Sequence, residues 1–375
     1  MRIGFDARLI SSLGIGRYIS GLLPPLAEIL DRRLVVIARR TEIALVRALT
    51  DGRCRLITSD AAPYRLAEQV MLPVTLLRSR LPLVHFPHYN APLLYPRQFV
   101  VTVHDLFSFR FPDIHSGILP RTVNRILISN AIRRAAAVIT PSRATADDIA
   151  ARFPSAAKRL QPIPEGADAR FSAGRNPGAE AAWQHYFGVR PPFLLYLGQW
   201  KAYKNLPLLI EAFAQVLAQR PDAQLVLAGH DPRHPEIPAA AARLLPGAVL
   251  LPGRLPDDAI PDLYRSAAAV VMPSLAEGFG LPVLEAMACG VSVVCSDIPV
   301  LRELADGVAI FCDPSSPASF AAGMIAALDR APEGDPIGRG LTRAGTYQWR
   351  RAAEATVAIY ERALAERPRT RSATN

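Results

Sequence analysis

Short, continuously apolar segments alternate with longer amphipathic segments along almost the whole chain. A parallel strand covered on both faces has such an uninterrupted apolar sequence, and the crossover to the next parallel strand needs a helix-sized segment. The candidate strands are residues 3–7, 34–38, 56–59, 84–86, 99–103, 137–139, 193–197, 224–228, 249–251, 268–272, 291–295 and 308–311. The candidate helices between the later strands are residues 206–220, 257–266, 282–289 and 317–329. This pattern predicts an α/β protein built of doubly wound, Rossmann-like domains.

The chain has 375 residues, which is more than one hydrophobic core usually fills, so we expect two domains. Residues 162–192 contain Pro, Gly, Asn and Ala in irregular order and lack sustained periodicity, as is typical of a domain boundary. The expected parts are a first domain at residues 1–170, a linker at 171–192, a second domain at 193–345, a C-terminal helix at 346–365 and a frayed tail at 366–375.

The net charge of +10 is distributed unevenly along the chain. Residues 1–190 carry 26 basic and 14 acidic side chains, a net charge of +12, whereas residues 191–375 carry 17 and 19, a net charge of −2. A basic half can bind nucleic acid, an anionic membrane surface or a phosphorylated substrate, or it can be an ordinary solvated surface. The charge alone leaves these alternatives open.

The compartment is indicated by two features of the sequence. No window approaches the roughly 18 apolar residues of a membrane helix, and Met1 and Arg2 lead directly into a strand-like segment, unlike a signal peptide. The four cysteines have neither metal-ligand spacing nor the spacing of a disulfide framework. We therefore expect a cytoplasmic protein.

Residues 274–290 have the composition of an anion site followed by a helix. A strand ends near Pro273, a loop with Gly278 and Gly280 follows, and Pro282 falls in the first turn of the expected helix. Backbone amides around residues 280–283 are expected to point outward at the helix N-terminus, where they favour a phosphate.

Two carboxylates flank this expected anion site. Glu277 precedes the helix and Glu285 lies about one turn into it, so both could accept hydrogen bonds from the paired hydroxyls of a sugar or ribose. The alternative is that Glu277 is an exposed loop residue and Glu285 a charge on a solvated helix face.

Two of the three lysines in the chain, Lys201 and Lys204, fall in one turn after the strand at 193–197. Ligands bind at the carboxyl ends of parallel strands, so these ammonium groups are placed to neutralise a diphosphate. The alternative is that they are solvated loop charges.

His104 and Asp105 end the strand at 99–103, and His104 is the candidate functional histidine of the first half. Near the N-terminus, Gly14 and Gly16 precede a helical segment but lack the distal acidic residue of a dinucleotide fingerprint. We expect these glycines to let the backbone approach a ligand. His85 and His88, which follow another strand, have no acidic or cysteine partner at metal-ligand spacing, so no metal site is expected.

Taken together, these motifs closely resemble the retaining glycosyltransferases of family four, the group one glycosyltransferases with the GT-B fold. The resemblance rests on PSLAEGFGLPVLEAM at residues 273–287, GIGRY at 14–18, TVHDL at 102–106 and IPEGAD at 163–168. It implies two Rossmann-like domains facing across a cleft, with the donor held mainly by the second, the acceptor mainly by the first, and the last helix crossing back to the first. It also implies that no metal or cofactor is needed.

The resemblance implies a role for each candidate residue. Glu277 would contact hydroxyls of the donor sugar, Lys204 the diphosphate and Glu285 the ribose. His104 would lie near the reacting carbon, and Gly16 beside the phosphates. The implied catalytic residues are Glu277 and His104; the implied donor-binding residues are Gly14, Gly16, Gln199, Lys201, Lys204, Gly278, Phe279, Gly280, Leu281 and Glu285. Glu277 and His104 are best described as groups that position the transition state, and no catalytic base is assigned.

One position departs from the family pattern. Members commonly have an arginine directly after the glycine of the phosphate turn, where this chain has Gln199. Lys201, two residues later, is the expected replacement.

Similarity to the mannosyltransferase-like branch that builds bacterial surface polysaccharides, such as lipopolysaccharide, favours GDP-mannose as donor and a saccharide or lipid-linked saccharide as acceptor. The basic half would then dock peripherally on anionic lipid at the inner face of the cytoplasmic membrane, and nucleic acid is not expected as a partner. The alternatives are a GT-B nucleotide-sugar epimerase, an inactive nucleotide-sugar-binding protein and a glycoside hydrolase. The phosphate turn argues against the hydrolase.

Overall fold

The computed structural model describes residues 1–111, 118–174, 176–329 and 335–366. It divides the chain into two compact units. Met1–Gly166 and Gln348–Asn375 form the first unit, and Ala167–Tyr347 forms the second. The expected tail lies outside the described residues from position 367 onward.

The described part of the first unit contains a seven-stranded parallel sheet with the strand order β3-β2-β1-β4-β5-β6-β7. The strands are β1 (Ile3–Asp6), β2 (Leu34–Ala38), β3 (Arg55–Thr58), β4 (Leu83–Phe86), β5 (Phe99–Thr102), β6 (Ala137–Thr140) and β7 (Leu160–Pro162). The helices of this unit are α1 (Ile15–Leu30), α2 (Ile43–Leu49), α3 (Glu68–Arg78), α4 (Phe107–Arg110), α5 (Ile118–Arg134), α6 (Arg143–Arg152) and α15 (Trp349–Ala365).

Both faces of this sheet are buried, which explains the uninterrupted apolar strands. Along β2, Val36 belongs to a core shared with α1 and α15, whereas Val35 and Ile37 belong to a second core on the other face. Successive side chains of a strand point to opposite faces, so a strand covered on both sides must be apolar at every position. β7 was not expected from the sequence because this short edge strand is only partly buried.

The second unit contains a six-stranded parallel sheet with the strand order β10-β9-β8-β11-β12-β13. Its strands are β8 (Phe193–Leu197), β9 (Gln224–Ala228), β10 (Val249–Gly253), β11 (Ala269–Met272), β12 (Ser292–Ser296) and β13 (Ile310–Cys312). Its helices are α7 (Pro177–Phe187), α8 (Leu206–Leu217), α9 (Glu236–Ala241), α10 (Ile260–Ser266), α11 (Leu281–Ala288), α12 (Pro299–Ala305), α13 (Pro317–Leu328) and α14 (Pro336–Ala344).

The segment expected to be a linker, residues 171–192, belongs to the second unit. It contains α7, and Phe171, Trp183 and Val189 are buried in the core of that unit. These three apolar side chains are separated by polar and small residues, so no periodic pattern marked the segment as part of a domain.

The helix α15 belongs to the first unit although it follows the whole second unit in sequence. It packs on α1, where Arg350 Nη1 lies 2.7 Å from Glu28 Oε2. Its buried residues Ala353, Val357 and Tyr360 join the core beneath α1. Among the described residues, no helix combines the length and the apolar composition needed to cross a membrane.

Candidate functional site

In the second unit, two loops meet at the carboxyl ends of neighbouring strands. The turn at residues 198–205 connects β8 to α8, the loop at 273–280 connects β11 to α11, and β8 lies beside β11 in the sheet. The Leu275 N–H donates a hydrogen bond to the Tyr203 carbonyl at 2.8 Å. The strand order therefore brings the lysine-containing turn against the loop that carries Glu277.

Lys204 and Glu277 form an ion pair between these two loops. Lys204 Nζ lies 2.6 Å from Glu277 Oε1, and the two side chains are only 12% and 8% exposed. This geometry excludes the interpretation of either residue as a free, solvated loop charge. The pair offers an ammonium group for an anion and a carboxylate for hydroxyl groups within one small region.

Lys201 has a different partner from Lys204. Its Nζ lies 3.1 Å from Asp231 Oδ2, in the segment that follows β9, and Arg233 Nη2 lies 2.6 Å from the same oxygen. The hydrogen bond from Arg233, together with Lys201, holds the pKa of Asp231 well below its usual range. Asp231 and Arg233 are not among the candidates expected from the sequence, although they follow β9, which is the other neighbour of β8 in the sheet.

Gln199 is exposed, and its backbone carbonyl accepts a hydrogen bond from the Tyr196 hydroxyl at 2.9 Å. Because Lys201 forms an ion pair with Asp231, it is not a simple replacement for the arginine that family members commonly have at the position of Gln199. The three charged side chains of Lys201, Asp231 and Arg233 together carry one net positive charge beside this turn.

Gly280 fixes the entrance to α11. Its φ is +101°, and a Cβ there would lie 2.8 Å from Leu301 Cδ2, so only glycine fits without strain. The expectation that amides at 280–283 all point outward needs correction. Pro282 has no N–H, and the Val283 N–H donates to the Gly280 carbonyl at 2.9 Å. The amides of Gly280 and Leu281 are the ones left for an anion in this turn.

Phe279 and Gly278 lie in the same loop. The Phe279 side chain is buried and packs edge-to-face on Tyr347, with ring centroids 5.8 Å apart. Its aromatic ring is therefore part of the core, and Phe279 can reach a ligand in this loop only through its backbone.

Glu285 lies on the buried side of α11. It is 2% exposed, and the fully buried Tyr264 hydroxyl donates a hydrogen bond to Glu285 Oε2 at 2.9 Å. Burial of a carboxylate is costly unless it is hydrogen-bonded, so the hydrogen bond from Tyr264 offsets part of the cost of burying Glu285. The alternative of a solvated helix-face charge is excluded. Tyr264 is not among the candidates expected from the sequence, because no local motif distinguishes it from other buried tyrosines.

In the first unit, His104 follows β5, and both of its ring nitrogens have partners. Nδ1 lies 3.3 Å from Glu165 Oε1, and Nε2 lies 3.0 Å from the Pro87 carbonyl oxygen. Burial by itself lowers the pKa of His104, but the hydrogen bond to Glu165 and its charge outweigh burial and raise that pKa. Asp105, the neighbour in sequence, instead accepts a hydrogen bond from the Phe107 N–H at 2.9 Å.

The glycine-containing segment near the N-terminus lies close to His104. The Tyr18 ring packs edge-on against the His104 ring, with centroids 4.8 Å apart. Gly14 directly precedes α1, and Gly16 lies in its first turn. A Cβ on Gly16 would lie 2.3 Å from the Ile10 carbonyl oxygen, so close backbone packing within the unit already requires glycine there.

A chain of buried hydrogen bonds connects α15 to the region of His104. Tyr360 OH lies 2.6 Å from His85 Nδ1, and His85 Nε2 lies 2.8 Å from Thr102 Oγ1. The Tyr18 hydroxyl lies 3.0 Å from the same Thr102 oxygen. Burial, and then the charge of His104, lower the pKa of His85 to about 3, so this histidine is neutral and structural.

The side chains that commonly ligate metals are dispersed. Among the residues that the structure describes, no group of three or more His, Cys, Asp or Glu side chains is arranged to hold a metal ion. All four cysteines are buried and unpaired with one another.

Two family models match consecutive parts of the chain. The model described as Glycosyltransferase Family 4 matches residues 14–171, and the model described as Glycosyl transferases group 1 matches residues 179–337. The chain belongs to the group 1 glycosyltransferases.

Curated relatives of this glycosyltransferase have modest identity. The O-antigen chain mannosyltransferase B of Escherichia coli is 27% identical, and the alignment covers 74% of this chain and 73% of the relative. A D-inositol 3-phosphate glycosyltransferase of Acidothermus cellulolyticus is 25% identical over 72% of this chain. The alignment spans only 62% of that second relative.

Solved structures establish the fold of this glycosyltransferase as GT-B. A sucrose-phosphate synthase from Thermosynechococcus elongatus matches with a TM-score of 0.77 and 20% identity, covering 98% of this chain and 100% of that one. The Anabaena HepE protein in complex with UDP and glucose matches with a TM-score of 0.75 and 19% identity, covering 96% and 100%. WaaG, a glycosyltransferase of lipopolysaccharide biosynthesis, matches with a TM-score of 0.64 and 16% identity, covering 96% and 98%.

Proposed function

We propose that this group 1 glycosyltransferase transfers a hexose, with mannose as the first candidate, from a nucleotide diphosphate sugar to a saccharide or lipid-linked saccharide. The observation that carries the proposal is the Lys204–Glu277 ion pair at the carboxyl ends of β8 and β11. An ammonium group suits a diphosphate, and a carboxylate beside it suits the hydroxyls of the attached sugar. The name of the Escherichia coli mannosyltransferase favours GDP-mannose, and the HepE complex shows that a protein of this fold binds UDP and glucose.

Donor binding in this proposal replaces the Lys204–Glu277 contact. The diphosphate takes the ammonium group of Lys204, and the amides of Gly280 and Leu281 complete the anion site. Hydroxyls of the donor sugar then donate to Glu277. The backbone of Gly278 and Phe279 lines the same loop, and Gln199 and Lys201 lie in the phosphate turn. Glu285, oriented by Tyr264, is assigned to the ribose hydroxyls.

In this proposal, residues of the first unit also contact the donor. His104 lies by the donor sugar near the reacting carbon, and Gly14 and Gly16 lie by the phosphates. Positive charge and backbone amides stabilise the departing diphosphate, so the proposal includes no metal or cofactor.

The transfer proceeds with retention of the anomeric configuration. The bond from the anomeric carbon to the diphosphate oxygen breaks, and the acceptor oxygen bonds to the same carbon on the face that the diphosphate leaves. The acceptor proton moves to the departing phosphate oxygen, and nucleoside diphosphate is released. Glu277 and His104 position the oxocarbenium-like transition state without acting as nucleophile or base.

The experiment that tests this function has two steps. A thermal-shift screen of GDP, UDP, ADP and their hexose derivatives identifies the donor, because a ligand that binds only the native state raises the melting temperature. Nucleoside diphosphate release is then measured with and without an alkyl mannoside as acceptor. Release that depends on the acceptor, with an α-linked product from an α-linked donor by NMR, supports a retaining transferase. A changed nucleotide sugar without release indicates an epimerase, and binding without any reaction indicates an inactive binding protein.

We also propose that the basic first half docks on anionic lipid beside a lipid-linked acceptor, at the inner face of the cytoplasmic membrane. On α5, the apolar side chains of Val123 and Ile126 are 45% and 52% exposed, and the helix ends in Arg133 and Arg134. Exposed apolar side chains next to arginines are typical of a surface that lies on a membrane interface.

A further inference from the structure

The hydrogen-bond partners of His104 decide how many protons its ring carries. The Pro87 carbonyl, 3.0 Å from Nε2, can only accept a hydrogen bond. Glu165 Oε1, 3.3 Å from Nδ1, belongs to a buried carboxyl group that accepts when it is ionised. Two acceptors on one imidazole ring are both satisfied only if both ring nitrogens carry hydrogen.

These acceptors come from both sides of β5, the strand that His104 follows. β5 lies between β4 and β6, and β7 lies beyond β6. Pro87 directly follows β4, and Glu165 lies three residues beyond the end of β7. The ring is therefore held between two parts of the sheet edge, and its orientation is fixed by backbone on one side and by a buried carboxylate on the other.

We infer that Glu165 is a positioning residue that, with the Pro87 carbonyl, holds His104 as a doubly protonated imidazolium. This inference deepens the proposed function and rests on it for the location of His104 beside the donor sugar. His104 then supplies a fixed positive charge near the reacting centre. Because neither nitrogen keeps a free lone pair, His104 cannot accept the proton of the acceptor hydroxyl.

The other titratable groups around His104 are compatible with this charge. Burial, followed by the charge of His104, lowers the pKa of both His88 and His85 to about 3, so neither ring competes as a cation. Asp105 contributes a further negative charge that favours the imidazolium. Tyr18, whose pKa burial raises far above neutrality, remains uncharged.

The test is a histidine titration by NMR on the full-length protein labelled with ¹⁵N-histidine, without any substrate. The chain has seven histidines, and His104→Gln assigns the signal of His104 by its disappearance. We expect both ring nitrogens of His104 to be protonated at pH 7.5, and its titration to move to lower pH in Glu165→Gln. A single neutral tautomer at pH 7.5 in the wild-type protein would overturn the inference, even if the variant failed to fold.

Two further variants separate a specific effect from a general one. Glu42→Gln removes another buried carboxylate of the same unit, which is paired with Arg39 at 3.8 Å, and should leave the titration of His104 unchanged. Glu165→Asp keeps the negative charge on a shorter side chain and should restore part of the wild-type titration. An equal shift in Glu42→Gln, or no shift in Glu165→Gln, would contradict a positioning role for Glu165.

The turnover of GDP-mannose and of UDP-glucose then tests the link to the proposed function. In Glu165→Gln we expect kcat/KM at pH 8.5 to fall by about tenfold, the size expected for loss of one charge-assisted hydrogen bond, with a smaller loss at pH 6. A loss of equal size at both values would show that Glu165 acts only on the fold. If neither sugar is turned over by the wild-type protein, the choice of donor fails, while the NMR titration still decides the protonation of His104.

Discussion

At the scale of single residues, each lysine of the candidate site is paired with a carboxylate before any ligand binds. Lys204 is paired with Glu277, and Lys201 shares Asp231 with Arg233. Partly buried ion pairs of this kind avoid the cost of leaving a charge in a poorly solvated place. In the proposed function, a diphosphate sugar replaces the Lys204–Glu277 contact and gives each of these two charges a new partner.

This exchange of partners predicts opposite effects for the two members of the pair. Glu277→Ala should lower transfer by about a hundredfold or more, because the sugar loses a contact made in the transition state. The same variant should bind nucleoside diphosphate at least as tightly as the wild-type protein, since Lys204 no longer has a competing carboxylate. Lys204→Ala should weaken that binding by about tenfold or more. Calorimetry and steady-state kinetics measure both effects.

Arg39→Ala is the control for these two variants, because Arg39 is a half-exposed cation of the first unit that faces Glu42. Equal weakening of nucleotide binding by Arg39→Ala and Lys204→Ala would show that only overall charge matters. Near-normal transfer by Glu277→Ala would show that Glu277 has no role in the reaction.

The raised pKa of His104 predicts how stability depends on pH. A histidine with a raised pKa in the folded state contributes stability that is complete below its unfolded pKa of about 6.5 and disappears as pH rises through the folded pKa. The wild-type protein should therefore exceed Glu165→Gln in stability by about 2 kcal/mol at pH 6. The difference should be clearly smaller at pH 9. Urea unfolding at the two pH values measures it, and a difference that grows with pH would contradict the assignment.

At the scale of elements, the geometry of each loop is set by the strands and helices at its ends. The loop before α11 depends on Gly280, whose backbone lies in the left-handed region and whose missing Cβ leaves room for Leu301. The neighbouring turn depends on β8 lying next to β11. The motif is local in sequence, but its shape depends on side chains from α12.

Gly280→Ala should therefore destabilise the protein by two additive effects. The positive φ costs roughly 1–2 kcal/mol for a residue with a Cβ, and the clash with Leu301 adds roughly 1–3 kcal/mol. Gly247→Ala is the matched control, because Gly247 has a φ of +77° and a Cβ added there would meet nothing within 4 Å. Chemical unfolding should show the larger loss for Gly280→Ala, and equal losses would argue against the steric contact.

At the scale of the whole molecule, the positive charge and the ion pair proposed to bind the donor belong to different parts of the chain. Residues 1–190 carry a net charge of +12, whereas the Lys204–Glu277 pair lies in a half with a net charge of −2. The global charge is therefore not an explanation of diphosphate binding. It is consistent with the proposed docking on anionic lipid.

Docking predicts binding to vesicles that contain phosphatidylglycerol, and this binding should weaken by about tenfold or more as salt rises from about 0.05 to about 0.5 M. Val123→Ser with Ile126→Ser should weaken it further at constant charge, whereas Leu245→Ser removes an exposed apolar side chain of the second unit and should change nothing. Vesicle co-sedimentation measures the salt dependence of binding and the effects of both sets of substitutions. Binding that is absent or insensitive to salt would show that the basic side chains of the first half form an ordinary solvated surface and do not dock on lipid.

The sequence by itself predicted twelve of the thirteen described strands and the doubly wound α/β class, and its motifs resemble those of the group 1 glycosyltransferases, a resemblance that implied the GT-B fold. These follow from local patterns: apolar runs such as Phe193–Leu197, helical periodicity, and the glycine-containing loop before α11. Each pattern is complete within a few residues, because a strand covered on both faces and a tight turn restrict residue type at each position. Lys204 and Glu277 were likewise identified as candidates from short local segments of the sequence.

Only the tertiary structure decided which side chains are partners. His104 faces Glu165 instead of its neighbour Asp105, Lys201 faces Asp231, and Glu285 is covered by Tyr264. The helix α15 returns to the first unit, where Tyr360 reaches His85 across 275 positions of sequence. Such pairings depend on strand order and on burial. Because the partners are distant in sequence, no periodic pattern of the sequence indicates them. Their charges and proton positions therefore follow from the folded chain alone.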